Sequence, residues 1–457
     1  MQRALGFDNS PDLSVPLRFF LNIPVFILLA GTLVLWAGPA VFSSRWSLAT
    51  LALTHLFTLG ILGSAMLGAM MQILPVACNI HFPYARHTSC GIHALLTFGT
   101  LALVMGFLDM RPIWFASAAV LLAFALLGFI SITSIGLWQH RRQVYKGARE
   151  ILVTVRLALI GLVITVILGV TLAGAMAQGN ALPALTDLHA VWGLAGWAGI
   201  LLIGISFQLI PIFQVTEIYP KLLTRWLAIV ILGIVLAWSA LSLSDALPSI
   251  LREATELLLV AAYGLYAMTT FHLLWTRKRP KAEPTTLFWR LAMLCLIACA
   301  PVWLWLTSRH DTAATLLLGS LIIVGTLWSA VNGMLYKIVP FLLWKHAQDA
   351  MIIPDHDPAQ ARAYLRVMPK IAAYLPESRA NGQFIVHALA VVTWMGACIA
   401  PHWLAYPAGG LLLISGIWLA ANMMSALMIY QRTLKAMAAM PLAANLDNSP
   451  AHPYSTP

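Results

Sequence analysis

The sequence predicts an all-α membrane protein of twelve transmembrane helices arranged as three quasi-equivalent four-helix units, with both termini cytoplasmic. Three observations predict it. Apolar side chains make up 60% of the 457 residues and charged ones only 9%, where globular chains carry roughly 25% charge. Apolar runs recur along almost the whole chain and repeatedly exceed the ~18 residues of a candidate span. Lys and Arg gather in every second link between those runs, as cytoplasmic loops require. A mean hydropathy of +0.84 leaves no room for a large soluble domain. The formal charge of +11 therefore reads as basic loops rather than as a nucleic-acid surface. Soluble-enzyme signatures are missing: there is no phosphate-binding glycine loop, no HExxH and no nucleophile elbow.

In chain order, residues 1–16 form a polar cytoplasmic segment, and the first apolar run lacks the small-residue cleavage site of a signal peptide. Spans are read near 17–42, 47–78, 90–108, 113–138, 151–178, 186–216, 222–243, 250–275, 286–308, 312–345, 383–401 and 405–430, giving one membrane domain over 17–432. Arg141, Arg142, Lys146 and Arg149 follow span 4. Arg277, Lys278, Arg279 and Lys281 follow span 8, and Lys345, Arg362, Arg366, Lys370 and Arg379 follow span 10. The alternate links hold little positive charge: Arg45, Arg111, none after span 5, and Arg309 beside Asp311. The link 346–382, which also carries Asp349, Asp355, Asp357 and Glu377, is expected to cap the cytoplasmic face. The polar, Pro-containing tail 433–457 is expected to be flexible.

Three spans end alike, in GAMMQILPV (68–76), GISFQLIPI (204–212) and GMLYKIVPF (333–341). From Gln72 to Gln208 is 136 residues and from Gln208 to Lys337 is 129, placing the motif in spans 2, 6 and 10 of three repeated units. Pro75, Pro211 and Pro340 free a carbonyl one turn back. A nearby Gln or Lys can satisfy it or snorkel to the interface; the alternative for Gln72, Gln208 and Lys337 is a proton path.

The same alignment sorts the histidines. His93, His272 and His387 fall toward cytoplasmic ends, whereas His55 and His189 lie in the outer halves of spans 2 and 6. His55 aligns with Val191, two residues from His189, and the third copy has Ser320 there. Imidazoles in a bilayer are normally buried, paired or liganded. Two at one depth on sister helices suit the faces of one flat ligand such as haem, and the bland reading is an interhelical hydrogen bond from each.

Twelve spans, outer histidines on second helices, and the stretches LTHLFTLGILGSAMLGAMMQILPV and DLHAVWGLAGWAGILLIGISFQLIPIF together resemble subunit I of the haem–copper oxidase superfamily, most of all its divergent NnrS-like members. The resemblance implies haem b, with His55 as axial ligand and His189 as second ligand or pocket residue. It also implies a role in electron transfer, gas sensing or nitric oxide tolerance in a bacterial inner membrane, beside a respiratory-chain or denitrification partner. Relatives of the second stretch often carry His-Ala-His where this chain has His189 and Val191. A copper site of that family needs an adjacent histidine pair on span 7, which has none, and span 10 offers only His310 at its outer edge. Copper and dioxygen reduction are therefore not expected.

Two other classes stay open: a transporter or permease whose pathway is lined by Gln72, Gln208 and Lys337, and a non-catalytic assembly factor for a respiratory complex. Met66, Met70 and Met71 read as adaptable packing, with Cu(I) binding the sharper alternative. Cys295 and Cys299 share one helix face and read as buried small residues. Arg156 snorkels, and Arg252 pairs with Glu256 four residues on.

Overall fold

A computed structural model describes residues 6–142, 149–244, 248–309, 311–351 and 358–439. It is 87% helical, with no strand among the described residues. Among the described residues, twelve helices are long and apolar enough to cross a membrane: α1 Ser14–Phe42, α2 Leu48–Cys78, α3 Ala85–Asp109, α4 Pro112–Gln139, α5 Arg149–Ala177, α6 Pro183–Gln214, α7 Lys221–Ser242, α8 Ser249–Trp275, α9 Pro284–Arg309, α10 Thr312–Asp349, α11 Glu377–Ile399 and α12 Pro401–Ala438. The chain is a multi-pass membrane protein.

The starts are written in the sequence. Proline opens α4, α6, α9 and α12, a position where its missing N–H has no intrahelical role. Ser47 caps α2 through the Thr50 N–H, and Asp311 caps α10 through the Ala313 N–H at 3.0 Å; both satisfy an orphan donor of the first turn. Near its end α1 tightens into a 3₁₀ turn at Gly38, whose φ of +56° disfavours a side chain and where a methyl would stand 2.6 Å from the Tyr406 hydroxyl.

Consecutive helices pack side by side, and α12 returns against both α11 and α1. Within this arrangement α2 and α6 are the inner helices, 89% and 72% buried over their most apolar windows, while α4, α8 and α9 are only 28% buried and face lipid. Inside α2, α6 and α10 the winding changes to i→i+5 bonding over Leu56–Gly63, Trp192–Gly199 and Leu321–Trp328. The segments in α2 and α6 both meet the one in α10. They are offset by 136 and 129 residues, the offsets of Gln72, Gln208 and Lys337.

A glycine pair eight residues apart accompanies each wide segment and faces two positions seven apart on the preceding helix. A methyl on Gly60 would stand 2.3 Å from Phe26, and on Gly68 2.8 Å from Phe19. In α6 the Gly196 carbonyl lies 2.3 Å from where a Gly161 methyl would be, and a Gly204 methyl would meet Thr154 at 2.3 Å. In α10 a methyl on Gly325 would stand 2.7 Å from Cys295 and one on Gly333 2.5 Å from Phe288. Small residues let backbones approach where helices have no hydrophobic drive to associate in lipid.

Several boundaries differ from the sequence reading: α3 begins at Ala85 rather than 90, α11 at Glu377 rather than 383 and α12 at Pro401 rather than 405. Helix α10 passes Pro340, as read, and ends at Asp349 rather than 345, because Pro340 removes one main-chain bond while the buried Val339, Leu342 and Leu343 hold the helix in register. The following link contains helices Pro358–Val367 and Ile371–Tyr374, and the fully buried Tyr374 packs it against α10 and α12. Helix α12 continues through Ala438, into the segment read as a flexible tail, on a run of strong helix formers. Lys146, His310, Asp355, Asp357 and the tail from residue 440 lie outside the described residues.

Candidate functional site

His55 is the last residue before the wide segment of α2, and His189 lies three residues before that of α6. The fold brings them together: their rings stand 6.4 Å apart, centre to centre, with planes 19° from parallel. Both are half-buried. His55 Nδ1 lies 2.8 Å from the Leu51 carbonyl of its own helix, and His189 Nδ1 lies 3.1 Å from the Thr165 carbonyl of α5. A carbonyl only accepts, so each Nδ1 carries the proton and each Nε2 keeps its lone pair. That is how an imidazole is held ready for a metal.

Neighbouring helices shape the pair. Phe107 of α3 lies nearly parallel to His55 at 5.3 Å. On α5, Gly169 makes room for His189, since a methyl there would stand 2.9 Å from Cε1. Two residues before His189, Asp187 takes a two-pronged bond from Arg45, at 2.5 and 3.3 Å, tying the start of α6 to the link before α2. The third copy has no imidazole: Ser320 accepts the Trp394 indole N–H at 3.1 Å and touches Cys398.

Two imidazoles that share one metal through bonds of about 2 Å have ring centres roughly 6 Å apart. The observed spacing fits. Two ligands alone make an incomplete site for a bare ion, and no group of three or more His, Cys, Asp or Glu that would hold one occurs among the described residues. Haem brings four nitrogen donors of its own and asks the protein only for axial ligands. The residues present fit that requirement.

The repeat polar positions lie apart from the histidines. Lys337 forms an ion pair with Glu283, the residue before α9, rather than capping a freed carbonyl. Arg279, at 2.9 Å, and Arg277, at 3.4 Å, share the same carboxylate. Arg277 also donates to Thr286, whose hydroxyl donates to Gln214 Oε1 at 2.6 Å. Burial works against charge on Glu283, but Lys337, Arg279 and Arg277 together hold its carboxyl below the usual range. Gln208 is buried, and Gln72 Oε1 is buried without a hydrogen bond. Between α2, α6 and α10 lies a cavity of about 70 Å³, apolar apart from Ser206 and the Trp289 indole, with Met66 and Met334 on its wall.

Other features follow the sequence reading or escape it. Arg252 pairs with Glu256 at 3.8 Å, and Glu256 also accepts the indoles of Trp238 and Trp303. Cys299 Sγ points back to the Cys295 carbonyl, a packing arrangement. His387, read from the sequence as lying toward a helix end, is fully buried between Ser329 and Asn332 of α10, 4.0 Å from Trp328. Phe107, Thr165 and Gly169 have no signal in the sequence, because each belongs to a helix whose facing is set only by packing. No protein-family model matches the chain, and no curated protein is significantly similar to it.

Proposed function

We propose that this is a haem-binding integral membrane protein of the bacterial inner membrane, with both termini cytoplasmic, built from three quasi-equivalent four-helix units and related to the haem–copper oxidase subunit I and NnrS-like architecture. The observation that carries the reading is the near-parallel His55–His189 pair at 6.4 Å, with each Nδ1 anchored on a carbonyl. The recurring wide segments and glycine pairs support the threefold unit, and the alternation of basic links supports the orientation.

Haem b bound between these residues supplies one-electron chemistry. His55 and His189 would be the residues that hold it, and a group held by two imidazoles would be suited to electron transfer more than to binding a gas, so among electron transfer, gas sensing and nitric oxide tolerance this pair favours electron transfer. The chain's own part is to fix each imidazole: Leu51 and Thr165 set the tautomer, Phe107 flanks one ring and Gly169 admits the other. A transport pathway past Gln72, Gln208 and Lys337 gains less support, since the space between their helices is apolar and Lys337 is paired with Glu283.

The test is the absorbance spectrum of the purified, dithionite-reduced protein. Sharp α and β bands that vanish in both His55→Ala and His189→Ala are expected. A colourless, well-folded preparation from cells supplied with haem precursor would overturn the reading.

A further inference from the structure

A groove of about 440 Å³ runs between α4 and α5 on the lipid side of the bundle, at the end that carries a basic link. One stripe of α4 (Ser134, Leu137, Trp138), with Arg141 in the turn that follows it, and one of α5 (Arg156, Ile160) line it. The spacings within each stripe are those of a single helix face. The walls are apolar except at the basic end. There Arg141 lies over the Trp138 ring at 4.8 Å and donates to the Trp138 carbonyl at 2.7 Å, which fixes it at the mouth.

Arg156 is the informative residue. It is exposed and has no ion pair among the described residues. Helix α5 has 29 residues and is about 43 Å long, about 13 Å more than the hydrocarbon core. Arg156 lies about 10 Å along it from Arg149, so its side chain leaves the helix near the boundary between acyl chains and headgroups. A cation there is costly without a counter-charge, and no ion pair supplies one among the described residues. Guanidinium groups bind phosphate through two parallel hydrogen bonds, and basic pockets between membrane helices select anionic headgroups.

We propose that this groove binds one anionic phospholipid, its phosphate held between Arg141 and Arg156 and one acyl chain laid along Leu137 and Ile160. The argument is charge complementarity joined to an apolar trough of ligand size. It is independent of the histidine pair. Two arginines with no acidic neighbour in the groove favour a lipid with net negative charge over a zwitterion, whose ammonium would meet the same cations.

The experiment is native mass spectrometry of the full chain released from vesicles of equimolar phosphatidylglycerol and phosphatidylcholine. One phosphatidylglycerol retained per protein is expected, falling about tenfold in Arg156→Gln and in Arg141→Gln. Arg225→Gln, which alters an arginine that lies over the Trp226 ring on α7, is expected to leave retention unchanged. Arg156→Lys, which keeps the charge, is expected to retain more lipid than Arg156→Gln; this ordering separates headgroup recognition from a folding defect. Equal retention in wild type and the Arg141→Gln/Arg156→Gln double variant, equal retention of phosphatidylcholine, or displacement by inorganic phosphate alone would each overturn the proposal.

Discussion

At the scale of single residues, the histidine pair is sensitive to very small changes in volume. A methyl at Gly169 would stand 2.9 Å from His189 Cε1, so Gly169→Ala displaces the ring from its place beside His55. The expected outcome is a several-fold loss of haem per protein, measured by pyridine haemochrome, while Gly174→Ala, where nothing lies within 4 Å, leaves it unchanged. Glu283 gives a pH prediction. Its folded pKa lies below its unfolded one, so its stabilisation is complete above the unfolded value near 4.5 and is lost as pH falls through the lower folded value. Lys337→Met removes its ion-pair partner but leaves Arg277 and Arg279, at a cost of about 1–2 kcal/mol at neutral pH. Thermal unfolding in detergent at pH 7 and at pH 4 checks this, with the variant's deficit shrinking at the lower pH. His55 and His189 were legible in the sequence because imidazole is rare and costly in a bilayer. Gly169 and Phe107 were not, since a glycine and a phenylalanine in an apolar helix look like any others until the neighbouring helix is in place.

At the scale of elements, all twelve spans were legible, most ends to within about three residues and others missed by four to eight, because hydropathy and the prolines at helix starts act locally. The change of winding inside α2, α6 and α10 was not. LFTLGILG, WGLAGWAG and LIIVGTLW share only their fifth residue, Gly60, Gly196 and Gly325. That glycine allows the preceding helix to approach, and the approach is a property of two helices together. A substitution test follows from the contacts. Gly161 faces the Gly196 main chain, which cannot move aside as a side chain does, so Gly161→Val is expected to cost at least about 2–3 kcal/mol. Gly60→Ala is expected to cost less, because the Phe26 ring has some freedom to turn. Midpoints of thermal aggregation for the two variants, with Gly128→Val as the unobstructed control, measure the difference.

At the scale of the whole molecule, the alternation of basic links gives an orientation that chemistry can check. Lys370→Cys and Asn180→Cys place single thiols on opposite sides, in a background where the exposed Cys90 is replaced by serine and the other four cysteines are buried. A membrane-impermeant maleimide applied to intact spheroplasts is expected to label position 180 and not position 370; the reverse pattern inverts the topology. The two inner histidine-bearing helices are wound with slack built in. Deleting Leu59 would let this stretch of α2 wind as ordinary α-helix, with its main-chain bonds still closed. Because a wide turn of this kind absorbs one extra residue locally, the two ends of α2 would keep about the facing they have, whereas the same deletion in an ordinarily wound stretch would turn one end by about 100°. Gly68 would keep its seat on Phe19 and the imidazole at position 55 its place beside His189, so the wide turn is a spot where α2 tolerates the loss of one residue.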